Sequence, residues 1–156
     1  MRTVYIETTI PSYYHDTRAT VAVWRSATRD WWAQAQGAYR LVTSAFTIAE
    51  LQAAPPPKRD QALALLAGVE VLPDSAGLAD VVAAYIEHHL MPAEASGDAG
   101  HLAMASLHGV DFLLTWNIRH LANANKFQHL HIINGRLGLP VPAIVTPLNL
   151  PPEAQS

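Results

Sequence analysis

Three carboxylates stand in apolar surroundings at the ends of predicted core elements, and together they could hold a divalent cation. Glu7 closes the β-rich run Thr3-Val4-Tyr5-Ile6. Glu50 lies in SAFTIAELQAA among Phe46, Ile48, Ala49 and Leu51, and Asp98 opens GDAGHLAMASLHG. A charge at the close of a buried strand is costly unless it faces water, a partner or a metal. Magnesium and manganese prefer oxygen ligands, and magnesium is commonly held by one or two carboxylates plus water and phosphate. Such ions polarise a phosphoryl oxygen, supply hydroxide from water and stabilise a leaving oxygen. Without them, three carboxylates drawn together repel and raise one another's pKa. Two of the acids also have a plainer reading, Glu50 as an exposed helix acid and Asp98 as the N-terminal acid of its helix, whereas a strand-end carboxylate such as Glu7 has few structural excuses.

A second group of polar residues follows the short apolar run Phe112-Leu113-Leu114, which reads as a parallel strand covered on both faces. It comprises Thr115, Trp116 and Asn117, then Arg119 and His120. Ligands of open α/β sheets bind outside the carboxyl ends of the strands. Thr8 and Thr9 could hydrogen-bond a metal's water or merely turn the chain. Asn117 could lend its amide oxygen to a metal or fix a loop. Arg119 and His120 could clamp phosphate or relay a proton, or serve only as surface. His101, one turn beyond Asp98, reads as a hydrogen-bonded core histidine and not as a ligand.

The order YIETTIPSYY, SAFTIAEL, GDAGHLAMA, FLLTWNIRHLAN resembles the PIN-domain family, metal-dependent ribonucleases that include VapC-like toxins. The likeness covers roughly residues 2–147, nearest to a subgroup with an IET-IPS opening and a TWN-RH-AN segment. It implies a metal-dependent endoribonuclease, the toxin of a type II toxin–antitoxin pair, with Glu7, Glu50 and Asp98 as ligands of Mg²⁺ or Mn²⁺. Glu7 stands where most members have Asp, and Asn117 where many carry a fourth Asp; all four are taken as catalytic and metal-site positions. Thr8, Thr9, Thr115, Arg119 and His120 are candidates for substrate contact. RNA as substrate, a cognate antitoxin and a homodimer are further implications. The missing fourth acid supports an alternative, a catalytically silent PIN-like module that binds RNA or protein. Three carboxylates with one Mg²⁺ leave a charge of −1, and with two leave +1. Asn117 being neutral, a weak second ion strengthened by substrate is expected.

These groups must be positioned by an α/β/α sandwich with a parallel sheet of about four or five strands. Strands are expected at 3–6, 40–43, 69–72, 112–114 and 143–146. Helices are expected from about Pro11, at 21–36 with Asp16 or Thr17 as cap, over the Glu50 segment, and at 59–67. Others are expected from Asp74 or Ser75 to about His89, at 98–108 and at 118–122. The resemblance favours a last helix at about 126–137. In the helix at 21–36, Trp24, Trp31 and Trp32 could form a base-stacking platform. A stripe at this spacing is more readily core or a dimer face.

The whole chain sets bounds. Its 156 residues fit one domain, here 1–147 with a tail at 148–156. Half of them are hydrophobic and 15% charged, a globular balance. No cysteine is present, which excludes disulfides and thiolate zinc sites. No run is long enough to span a bilayer and no signal peptide is visible, so a cytoplasmic protein is expected. A net charge of −3 argues against broad electrostatic capture of nucleic acid. Arg18, Arg25, Arg29, Arg119, Lys126 and Arg136 could still form a local basic rim. Glu87-His88-His89 lacks the histidine pair of zinc proteases, and His129 with His131 lacks a third ligand. There is no Gly-rich phosphate loop and no G-x-S-x-G.

Overall fold

Four β-formers at residues 3–6 make the middle strand of a five-stranded, wholly parallel sheet. The computed structural model describes residues 1–93 and 96–151. Its strands are β1 (Thr3–Ile6), β2 (Arg40–Thr43), β3 (Glu70–Val71), β4 (Phe112–Leu114) and β5 (Ala143–Val145), in the order β3-β2-β1-β4-β5. Tyr5 pairs with Val42 on one side and Leu113 on the other. Val4, Tyr5 and Ile6 are wholly buried, as befits a strand covered on both faces.

Alternation along β1 sends its side chains to two different cores. Val4 and Ile6 join Trp31, Ala35, Leu51, Ala62 and Leu114 beneath α1 (Thr9–His15), α2 (Ala22–Ala35) and α4 (Lys58–Leu65). Tyr5 joins Val81, Tyr85, Leu102, Leu130 and Ile133 beneath α5 (Leu78–Glu87), α6 (Ser96–Leu107) and α7 (Phe127–Leu137). The short α3 (Ala45–Gln52) touches both cores, Phe46 on one side and Leu51 on the other. The result is the expected three-layer α/β sandwich.

Helix α6 seats tightly on α3 because Gly100 has no side chain. A Cβ there would lie 2.3 Å from Cε1 of Phe46, far inside van der Waals contact. This close approach brings the first turn of α6, with Asp98 and His101, against the helix that carries Glu50.

Several boundaries differ from the sequence reading. The helix expected at 118–122 is a single turn at 118–121, in which Asn117 O accepts from Leu121 and Ala122 N–H. It does not propagate, because Asn123 already caps a new 3₁₀ turn at Ala124–Lys126. Helix α5 starts at Leu78, not at 75: Gly77 at φ +87° is left-handed and stands where Asp74 or Ser75 was expected to cap. Neither Asp16 nor Thr17 caps α2, which is entered through a 3₁₀ turn at Ala19–Val21. Strand β3 holds two residues of the four expected, paired to β2 alone at the sheet edge. Helix α6 begins at Ser96, and the lead-in at 94–95 lies outside the described residues. Leu150 is buried in the α2 core, and Tyr39 donates its hydroxyl to Pro151 O at 2.7 Å. Packing thus continues past residue 147 into the expected tail, of which 152–156 lie outside the described residues.

Candidate metal centre

After β1 the chain fills one side of the sheet with β2 and β3, then returns to add β4 and β5 on the other. The carboxyl ends of β1 and β4 therefore flank a topological switch point, where open α/β sheets bind ligands. Glu7 follows β1 there and Thr115 follows β4, tied by Glu7 N–H donating to Leu114 O at 3.2 Å.

Glu7 is 2% exposed, and one of its oxygens is fully engaged. Oε1 accepts from Thr9 N–H at 3.0 Å, Thr9 Oγ1 at 2.5 Å and Thr115 Oγ1 at 2.7 Å. Oε2 has no hydrogen-bond partner among the described residues. Three donors on one oxygen fix the carboxylate and leave the other oxygen to a ligand. Thr9 and Thr115 are thus placed as supports of Glu7.

Ser44 caps α3, accepting from Phe46 N–H, and α3 presents Glu50 toward α6 with a side chain 41% exposed. His101, wholly buried, meets it: Nε2 lies 2.5 Å from Glu50 Oε1. On the other side of the ring Nδ1 lies 2.8 Å from the Tyr5 hydroxyl, itself 2.5 Å from Ser44 Oγ. With the imidazole neutral, donation can run from Ser44 to Tyr5, from Tyr5 to Nδ1 and from Nε2–H to Glu50; once the ring is protonated, Nδ1–H donates to Tyr5 and Nε2–H still donates to Glu50. Thr8 Oγ1 is 3.4 Å from Nε2. Burial pushes the Tyr5 phenol well above its usual pKa. Burial also opposes charging His101, but the Glu50 hydrogen bond and the charges of Glu7, Glu50 and Asp98 outweigh it and raise its pKa.

Ligand atoms of Glu7, Glu50 and His101 all lie within 4.8 Å of one another. Opposite ligands of a magnesium ion stand about 4 Å apart, so the spacing suits one small cation. Glu7 Oε2, held but unpartnered, and the half-open Glu50 supply the hard oxygen donors such an ion prefers. His101 fits the reading as a buried, hydrogen-bonded histidine, yet it also reaches the site. Sequence reasoning left out its partners Tyr5 and Ser44, whose link across 39 residues no local pattern signals.

Asp98, half-buried in the first turn of α6, stands outside that tight group, though its charge acts on His101 and on Lys126. Gly97 lies against the carboxylate of Glu50: a Cβ there would sit 3.3 Å from Oε1. Desolvation lowers the pKa of Lys126, against the pull of Asp98. Lys126 Nζ is 3.4 Å from His120 O. Asn117 Oδ1 accepts from His120 N–H at 3.0 Å, and Asn117 N–H donates to Thr115 Oγ1 at 2.9 Å. Of its two sequence readings, the loop-fixing one describes this geometry. Arg119 is exposed and its guanidinium has no partner among the described residues.

No protein-family model matches this chain, and neither does any curated protein. Among solved structures it is similar to a chain from the crystal structure of VapBC2 from Rickettsia felis bound to a DNA fragment from their promoter. The match has a TM-score of 0.58 at 15% identity and covers 92% of this chain and 98% of that one. Likeness at this identity is likeness of fold. Among the described residues, no helix is long and apolar enough to cross a membrane.

Proposed function

We propose that this protein is a PIN-domain endoribonuclease that depends on Mg²⁺ or Mn²⁺. The observation that carries the reading is the carboxylate of Glu7, pinned by Thr9 and Thr115 at the sheet's switch point beside Glu50 and His101. Glu7 and Glu50 would hold the ion, and Asp98, outside the tight group, would add its charge beside them. A bound ion there supplies Lewis acidity and a water of lowered pKa for phosphodiester hydrolysis. The chain's own residues do the rest. Thr9 and Thr115 hold Glu7, His101 holds Glu50, and Thr8 and Arg119 line the approach of the phosphate.

The fold likeness to the VapBC2 chain and the four sequence motifs support placing residues 1–147 in the VapC-like group. A cognate antitoxin and a homodimer belong to the same reading. Incubation of mixed RNA and single-stranded DNA with Mn²⁺ tests it. Wild type should cleave RNA, and Glu7→Gln, Glu50→Gln and Asp98→Asn should not. Equal behaviour of all four proteins ends the nuclease reading. One observation favours the alternative of a silent binding module: the Asn117 amide oxygen caps a turn, so the fourth acidic position offers no free ligand. RNA binding without cleavage by wild type in either ion would select it.

A further inference from the structure

Trp24 is the aromatic residue of α2 that the core does not absorb. It is 37% exposed, whereas Trp31 on the same helix is buried. One face of its indole stacks on Trp116, with centroids 5.5 Å apart and planes 13° from parallel. Tyr13 stands edge-on to both rings, 5.4 Å from Trp24 and 6.3 Å from Trp116. Three centroids so spaced form a near-equilateral triangle, so Tyr13 sits beside the stack and does not cover the outer face of Trp24.

This stack is tied to the acidic site. Trp116 N–H donates to Thr9 Oγ1 at 2.8 Å, the same hydroxyl that donates to Glu7. The indole N–H of Trp116 donates to Thr28 Oγ1 on α2 at 2.8 Å, which fixes the ring on which Trp24 lies. Arg119, three residues beyond Trp116, is exposed with a guanidinium that no carboxylate neutralises among the described residues. A flat π-face joined through Trp116 to the Glu7 site, and a free cation three residues further along the same segment, are what a base and its phosphate require.

We propose that the outer face of Trp24 is a stacking platform for one unpaired nucleobase of a single-stranded nucleic acid, whose backbone passes Arg119 into the cleft at Glu7. The proposal rests on the nuclease reading for where the strand leads. A duplex keeps its bases stacked on one another and cannot use this face, so the substrate class is unpaired strand. A net charge of −3 suits such local, base-directed capture, since the surface as a whole does not attract phosphate.

The test is binding in EDTA at low salt, where no cleavage occurs, of a single-stranded oligoribonucleotide and of the same strand carrying abasic sites. Wild type should prefer the base-bearing strand by roughly ten- to a hundred-fold, the range that loss of one aromatic stacking partner gives. Trp24→Leu, which keeps apolar contact with Trp116 without a π-face, should lose that preference. Trp24→Phe should restore much of it. Equal affinity of wild type for both strands overturns the proposal, as does an unchanged preference in Trp24→Leu. So does a switch of oligomeric state in Trp24→Leu with strand affinity intact, which would make this face a contact between copies of the chain. Cleavage with Mn²⁺ is scored separately: wild type that prefers bases but cuts nothing keeps the platform and loses the hydrolysis.

Discussion

His101 Nε2 lies 2.5 Å from Glu50 Oε1, so a wholly buried imidazole on α6 grips a half-exposed carboxylate on α3. Tyr5 stands behind it at 2.8 Å. The central strand therefore fixes the histidine, and the histidine fixes the acid. Replacing His101 with Ala removes the hydrogen bonds to Tyr5 and Glu50 and leaves a cavity where a wholly buried ring stood. Hydrogen bonds to charged groups are worth about 1.5–3 kcal/mol, and the expected loss of stability is of that order or larger. Urea unfolding checks it. Tyr5→Phe, which removes one hydroxyl and little volume, should cost less and leave Glu50 held.

The pH dependence of the metal-free protein follows from the same ring. The folded His101 pKa is raised above 6.5, so the fold favours the imidazolium. Its contribution to stability is fully present below pH 6.5 and fades as pH climbs through the raised folded value. Thermal melts in EDTA from pH 5 to 9 should show wild type losing this advantage over His101→Gln across that window. A constant difference between the two proteins would contradict it. Divalent-ion affinity should move oppositely, rising with pH as the competing proton leaves.

Gly100→Ala is expected to damage the site without touching any ligand. The added methyl meets the Phe46 ring at 2.3 Å, so either that half-buried ring swings aside or α6 draws back from α3, and both shifts disturb the seat of His101 against Glu50. Overpacking of this kind costs about 1–3 kcal/mol. Calorimetry of metal binding should show weaker affinity together with a lower melting temperature. Phe46→Leu in the same protein should recover part of both.

Asn117 separates ion count from fold. Its side chain caps the turn at 118–121, and removal of such a cap costs about 1 kcal/mol, so Asn117→Ala should lower stability by that amount. Asn117→Asp keeps the cap and adds a charge. Isothermal titration of wild type with Mn²⁺ and no RNA should give one firm site. The Asp variant should gain a second. Two tight sites in wild type would refute the charge argument.

The sheet and the Glu7 site are legible in the sequence because they rest on local signals, short β-rich runs that end in polar residues. Glu50 and Asp98 are legible as acids amid apolar helix residues. What their partners do is not, because Tyr5, Ser44 and His101 meet only through the sheet order, and nothing in a linear pattern announces that order. Trp24 reads as core from its spacing, yet it lies near the start of α2 where the core has run out. The turn at 118–121 reads as a helix because Leu121 is apolar and well spaced; only the cap at Asn123 shows why it stops.

The place of β1 between β2 and β4 has a consequence for biosynthesis. Strand β1 finds its last neighbour only after residue 114 has been made, a long wait across many non-local pairings. A nascent chain shorter than that also lacks Thr115, one of the hydroxyls that hold Glu7. Translation must therefore run most of its course before the carboxylate of Glu7 can be gripped as the finished fold grips it.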